Sequence, residues 1–147
     1  MIVNPRKIIL GTASFNSRYG LDGVSVNKKK SNNILDYAKS KNIKYIDIST
    51  DYNFYKNLIK NLSIKNISLS LKITKKDFKD LSSKKKTEVF VKNVLKIFNK
   101  KKIHYLFFHH TKDLMSKKGT EVYKILKHFK KKKKIGKIGC SVYSDKE

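Results

Sequence analysis

Five chemically versatile side chains stand at or just beyond the ends of successive short apolar runs. Asp47 ends one run, Tyr52 follows five residues later, Lys72 ends the next, His109 follows a third, and Ser141 lies near the end of a fourth. An acid, a phenol, an amine and an imidazole are groups that exchange protons with a reacting substrate. Each also has a structural alternative, as a helix cap, a solvated lysine, loop packing or a satisfied histidine. Their shared position at run ends favours a common site.

The apolar runs are typical of buried strands. They occupy 7–13, 43–47, 67–72, 103–108 and 138–142. Helical patterns separate them, which gives the order β-α-β-α-β-α-β-α-β and predicts parallel strands with crossover helices. In such folds, chemistry gathers where the strands end, because their carboxyl ends lie on one side.

Four helices follow from the apolar spacing. The first is capped by Ser31 or Asn32 and carries Ile34, Tyr37 and Ala38 on one face, and the second is a short helix over 55–62. The third is capped by Ser82 or Ser83 and carries Val91, Val94, Leu95 and Phe98. The last carries Val122, Ile125, Leu126 and Phe129. The lysines at 130–134 fit the carboxyl end of that last helix, where cations meet the macrodipole. Gly136 is then expected to form the turn that leaves it.

Two architectures share this element order, an open doubly wound sheet and part of a (β/α)8 barrel. The open sheet that binds dinucleotides normally carries G-x-G-x-x-G after its first strand. Here Gly11 is followed by no glycine before Gly20, and no Walker A pattern is present. The fold class expected is therefore α/β, a partial (β/α)8 TIM barrel with about five parallel strands, in one domain over 1–147.

Composition limits the function classes. The chain has 147 residues and a formal net charge of +25, but 34 of its 36 basic residues are lysine. Nucleic-acid surfaces usually rely on arginine, and lysine here rises together with other residues that AT-rich codons encode. A polybasic nucleic-acid binder is thus the less favoured alternative. The single Cys140 excludes a disulfide scaffold.

Membrane and export signals are not expected. No apolar run approaches the roughly 18–20 residues of a membrane span. The charged residues Arg6 and Lys7 come too early for a signal peptide. A cytoplasmic protein without a membrane partner is the expectation.

Five segments in order resemble the aldo-keto reductase family. They are LGTASF at 10–15, RYGL at 18–21, KYIDISTDY at 44–52, YLFFH at 105–109 and KIGKIGCSVYS at 134–144. The third is similar to that family's Asp-Thr-Ala-x-x-Tyr-Gly motif, and the last to its Lys-Ile-Gly-x-Ser stretch. The resemblance implies a (β/α)8 barrel and NADPH-dependent reduction of a small aldehyde or ketone, with a weak likeness to the branch linked to sugar metabolism.

The resemblance also implies roles for individual residues. Tyr52 would be the general acid, Lys72 would lower the pKa of its phenol, and Asp47 would pair with Lys72. His109 would polarise the substrate carbonyl. Contacts to NADP(H) would come from Gly11, Thr12, Asp47 and Ser141, and no metal is implied. His110 receives no role and is expected to be a satisfied polar residue.

Five strands cannot close an eight-stranded barrel. In the aldo-keto reductase family, which this sequence resembles, the aromatic residue that stacks on nicotinamide and the loop that binds the adenosine phosphate lie beyond the fifth strand. We therefore expect an oxidoreductase that is incomplete as an isolated chain, whose partner is a complementary C-terminal half-barrel. A non-catalytic remnant or assembly partner is the alternative.

Overall fold

The computed structural model describes residues 4, 7–15, 17–20, 23–50, 67–81, 83–142 and 144. The chain divides into two compact units, Met1–Leu69 and Ser70–Glu147, and β3 crosses the boundary. The helix expected over 55–62 and the residue Tyr52 lie outside the described residues. Among the helices that are described, none combines the length and the apolar character needed to cross a bilayer.

Five parallel strands alternate with helices, as the sequence predicts for part of a (β/α)8 barrel. The strands are β1 (Ile9–Gly11), β2 (Tyr45–Ser49), β3 (Ser68–Ile73), β4 (Ile103–Phe108) and β5 (Ile135–Cys140). The helices are α1 (Lys28–Ser40), α2 (Lys75–Asp80), α3 (Lys84–Ile97), α4 (Thr111–Met115) and α5 (Lys117–Lys131). The bounds of β4 match the predicted 103–108, and the other four strands are shorter or shifted.

The first unit pairs β1 with β2 in parallel, with Leu10 opposite Ile46. Ile46 and Ile48 are almost fully buried on β2, whereas the expected burial of β1 is wrong, because Ile9 remains 42% exposed. The first strand is also only three residues long, because Thr12 already leaves the ladder.

Helix α1 begins earlier than the sequence suggests. Its N-cap is Asn27, whose side chain accepts a hydrogen bond from the Lys30 N–H at 2.9 Å. The predicted cap Ser31 instead lies inside the first turn and is fully buried, with its hydroxyl donated to the Asn27 carbonyl oxygen at 2.9 Å. The buried face therefore carries Leu35 and Ala38, and the prediction that Tyr37 belongs to it is wrong.

The second unit is a sheet of β3, β4 and β5 backed by helices. Both pairings are parallel, with Leu71 opposite Leu106 and Phe108 opposite Cys140. The core lies on the helix side of this sheet, where strand and helix side chains are buried together. Its members include Leu71, Ile73, Leu106, Phe108, Val91, Val94, Phe98, Val122, Leu126 and Phe129. Apolar positions on α3 and α5 therefore behave as their spacing predicts.

Two short helices, α2 and α4, were not predicted. α2 begins with a capping box in which the Thr74 side chain accepts the Asp77 N–H at 3.1 Å, and the Asp77 carboxylate accepts the Thr74 N–H at 3.2 Å. Ser83 caps α3 in the same manner, as expected, by accepting the Lys86 N–H at 3.2 Å. These caps satisfy backbone donors that would otherwise lack partners at the helix starts.

The last helix ends as its lysines suggest, but the turn after it differs from the prediction. Lys132 is the C-cap of α5, and Lys133 adopts φ +56 where glycine was expected to turn the chain. Gly136 already belongs to β5, opposite β4. A Cβ at that position would overlap the carbonyl oxygen of His104. This close approach, and not a helix exit, is what requires glycine there.

Candidate active site

In the first unit, the loop after β1 is fixed to the middle of β2, because this strand continues to Ser49 and the expectation that Asp47 ends it is wrong. Gly11 pairs with Asp47 in the parallel register. The next residue, Thr12, is 1% exposed and donates its hydroxyl to the Asp47 carbonyl oxygen at 2.8 Å. Three of the residues predicted for the site therefore form one local arrangement around the half-buried Asp47, which lies in the middle of its strand.

Lys72 is the last residue but one of β3. It lies opposite Phe107 and is half-buried, whereas its neighbours Leu71 and Ile73 are fully buried. Successive side chains of a strand point to opposite faces. Since the helix face holds the two apolar neighbours, Lys72 belongs to the other face of the sheet.

His109 continues the ladder one residue beyond β4. Its N–H donates to the carbonyl oxygen of Ile73 at 3.2 Å, which keeps it beside the end of β3. Its imidazole stacks on that of His110, with ring centroids 4.6 Å apart and planes at 14°. His109 is half-buried and His110 is exposed, so the first ring is the more sheltered of the two.

Ser141 stands in the equivalent position beyond β5. Its N–H donates to the carbonyl oxygen of Phe108 at 2.9 Å. No hydrogen bond of its hydroxyl is found within the described part of the chain. A half-buried hydroxyl at this edge can donate to or accept from a carboxamide, and this fits the contact that the family resemblance assigns to it.

The structure thus brings the predicted residues together in two separate sets. Gly11, Thr12 and Asp47 form one set in the first unit. Lys72, His109 and Ser141 form the other, at the carboxyl ends of three neighbouring strands of the second unit. Tyr52 lies outside the described residues, so its placement, and its approach to either set, stay predictions.

The residues with shifted pKa values, Lys100 and His104, lie near the amino end of β4. Burial is the main cause that lowers the pKa of His104, and the positive charges of Lys102 and Lys100 lower it further. Burial also lowers the pKa of Lys100. These groups precede or begin β4, whereas His109 follows its end, so the shifts report on packing and lysine crowding away from the candidate site. Within the described ranges, no group of three or more His, Cys, Asp or Glu side chains could hold a metal ion.

A pocket that the sequence reasoning missed opens at the carboxyl ends of β3 and β4. It has a volume of about 330 Å³ and is lined by Lys75, His110, Thr111, Lys112 and Asp113. The short helices α2 and α4 bring these residues together, and neither helix was predicted. The Thr74-x-x-Asp77 capping signature was readable in the sequence and would have located the start of α2.

Comparisons with known proteins agree with this order of strands and helices. The sequence model of the aldo/keto reductase family matches residues 7–147. No curated protein matches the sequence. Among solved structures, a putative aldo-keto reductase from Pseudomonas aeruginosa is 21% identical with a TM-score of 0.65, over 90% of this chain and 54% of that one.

Two further structures show the same fold. The silkworm (Bombyx mori) aldo-keto reductase is 13% identical with a TM-score of 0.64, over 90% of this chain and 43% of that one. A variant of Gox0644 in complex with NADPH is 15% identical with a TM-score of 0.64, over 94% and 46%. The chain therefore spans about half the length of the solved structures that it matches. With a family match over nearly its whole length and the strand and helix order of the barrel, the chain belongs to the aldo-keto reductase family.

Proposed function

We propose that this chain supplies the catalytic half of an NADPH-dependent reductase for a small aldehyde or ketone. The observation that carries the proposal is the ladder of backbone bonds beyond the strand ends. The His109 N–H donates to Ile73, and the Ser141 N–H donates to Phe108. These bonds hold an imidazole and a hydroxyl on the same edge at which β3 presents Lys72, and this edge is where parallel α/β folds assemble their chemistry.

In this account, the nicotinamide cofactor, when bound, supplies a hydride to the carbonyl carbon. The carbonyl oxygen gains negative charge as it does so, and the His109 imidazole donates a hydrogen bond to that oxygen. The Tyr52 phenol then gives its proton to the oxygen, which completes the alcohol. The phenolate regains a proton from solvent before the next turnover.

A phenol with an ordinary pKa of about 10 is a weak proton donor near neutrality. The ammonium of Lys72 beside it would favour the phenolate and lower its pKa. Asp47, fixed by Gly11 and Thr12, would hold that ammonium in place. The hydroxyl of Ser141 would bind the carboxamide of the cofactor and orient its ring.

We also propose that activity requires the remaining strands of the barrel, carried on the same or a second polypeptide. In the part of the second unit that the structure describes, β5 pairs only with β4, and the sheet face with Tyr105 and Phe107 is half-buried. Another parallel strand on the outer edge of β5 would satisfy its backbone groups. The complement is therefore a three-strand C-terminal half-barrel.

The test is carbonyl reduction by the chain, alone and with a C-terminal aldo-keto reductase half-barrel, followed as NADPH oxidation. Lys72→Met should lower kcat about 100-fold or more, whereas Lys76→Met, which removes an exposed lysine from α2, should not change it. Equal activity of the two variants would remove Lys72 from the mechanism. No oxidation of NADPH under either condition would contradict the proposed function.

A further inference from the structure

We infer that the pocket lined by Lys75, His110, Thr111, Lys112 and Asp113 binds an anionic group, a carboxylate or phosphate, of the carbonyl substrate. This inference rests on the proposed function and narrows its substrate class. The pocket lies in the second unit, at the carboxyl ends of β3 and β4, where Lys72 and His109 also stand. Its volume of about 330 Å³ is at the small end for ligand pockets and suits one compact charged group.

The pocket presents positive charge to a ligand. Lys75 and Lys112 are exposed, and neither forms an ion pair or hydrogen bond within the residues that the structure describes. Two unneutralised ammonium groups around one small cavity form a donor set that suits carboxylate or phosphate oxygens.

The one acidic residue of the pocket does not cancel this charge. Asp113 Oδ2 is buried and has no hydrogen-bond partner in the described chain, so this oxygen is shielded from an entering ligand. The backbone of Asp113 is occupied too, because its carbonyl oxygen accepts the Ser116 hydroxyl at 2.7 Å. Lys75 and Lys112 therefore give the pocket two positive charges against the one negative charge of Asp113.

The pocket also lies close to the His109 imidazole. His110 lines the pocket, and its ring stacks directly on the ring of His109 at 4.6 Å. Only the His110 ring would therefore separate an anion in the pocket from the His109 imidazole, which is proposed to hold the carbonyl oxygen. A substrate with its carbonyl and its anionic group a few bonds apart would reach both places.

Three sources share this ligand chemistry, namely a carboxylate substrate, a phosphorylated substrate and the phosphates of the cofactor. Inorganic phosphate and succinate serve as probes of the anion site without any carbonyl chemistry. Each is titrated into the ¹⁵N-labelled chain at constant ionic strength, and backbone amide shifts are recorded. NADP⁺ is then added to the phosphate-saturated sample.

The variant pair for this titration is matched in charge. Lys75→Ala with Lys112→Ala removes the two pocket ammoniums, and Lys92→Ala with Lys131→Ala removes two exposed lysines from α3 and α5. All four lysines are exposed, so the spectrum of each double variant should show the native fold. We expect the pocket variant to bind phosphate about three- to tenfold more weakly, and the control to bind like the wild type.

The outcomes separate the anion site from the reductase function. Shifts centred on Lys75, Thr111 and Lys112, lost in the pocket variant alone, would support the site. Equal weakening in both double variants would show general lysine charge and overturn it, and competitive displacement by NADP⁺ would assign the pocket to the cofactor and overturn the substrate role.

Activity provides the independent readout. With the barrel complete, kcat/KM for an aldehyde that carries a carboxylate, divided by that for its neutral methyl ester, should fall about three- to tenfold in the pocket variant only. Reduction without this charge preference would overturn the inference and leave the proposed function intact. Phosphate binding without any carbonyl reduction would overturn the proposed function and the substrate role while retaining the anion site.

Discussion

Thr12 donates its hydroxyl to the carbonyl oxygen of Asp47 at 2.8 Å, and so fixes the first loop to the middle of the second strand. The two residues lie 35 positions apart in the sequence. Since Thr12 is 1% exposed, its hydroxyl is shielded from water, and water cannot readily replace this bond when the hydroxyl is removed. Thr12 therefore acts on the candidate site through the backbone of Asp47.

Replacing Thr12 by valine tests this contact, because valine keeps the shape of threonine but has no hydroxyl. We expect the free energy of unfolding to fall by about 1 to 2 kcal/mol, measured by urea titration. Thr12→Ser keeps the donor and should lose less stability. If the valine and serine variants were equally stable, the hydroxyl would have no structural role.

The glycine at 136 should not tolerate a side chain. A Cβ there would overlap the His104 carbonyl oxygen across the β4–β5 pair, and backbone atoms cannot move aside without breaking the ladder. We expect Gly136→Ala to destabilise the protein by about 1–3 kcal/mol in the same titration. Gly11→Ala is the control, since a Cβ at Gly11 would meet nothing within 4 Å. Equal stability of the two variants would refute the close approach.

Stability should depend on His104 at acidic pH. Its pKa in the folded chain is lowered from 6.5, first by burial and then by Lys102 and Lys100. Below about pH 6.5 the unfolded chain therefore binds more protons at this residue than the folded chain does. The stability that His104 contributes is complete above about pH 6.5 and is lost as the pH falls below that value. Urea midpoints measured from pH 7.5 downward should show this slope.

His104→Gln should flatten that part of the pH profile, because glutamine does not titrate. His128→Gln removes an exposed histidine of α5 and serves as the matched control. Its profile should follow the wild type. An unchanged slope in His104→Gln would show that another group produces the pH dependence.

The sequence predicts an element well where its apolar run is bounded by polar residues. The predicted and observed bounds of β4 coincide because six residues between Lys102 and His109 contain no strand breaker. The sequence predicts the start of β5 too late in the chain, because the lysines at 130–134 and Gly136 together are typical of the end of a helix. In the structure Lys133 takes the positive φ itself, so the strand can begin at Ile135.

The candidate site was predictable to the extent that it depends on strand ends. Parallel pairing places Lys72, His109 and Ser141 on one edge of the second unit once the strand order is known. The pocket beside them was not predictable from periodicity, since α2 and α4 are only six and five residues long and show no apolar repeat. The predicted role of Tyr52 comes from the family motif alone, because residues 51–66 lie outside the described structure.

The most direct test of the central claim is the rate of carbonyl reduction by Tyr52→Phe in the completed barrel, with NADPH affinity measured in parallel. Removal of the phenolic proton donor should lower kcat by about 100-fold to 10,000-fold and leave the dissociation constant of NADPH within about twofold of the wild type. A Tyr52→Phe variant as active as the wild type would contradict the assignment of this chain as the catalytic half of a reductase.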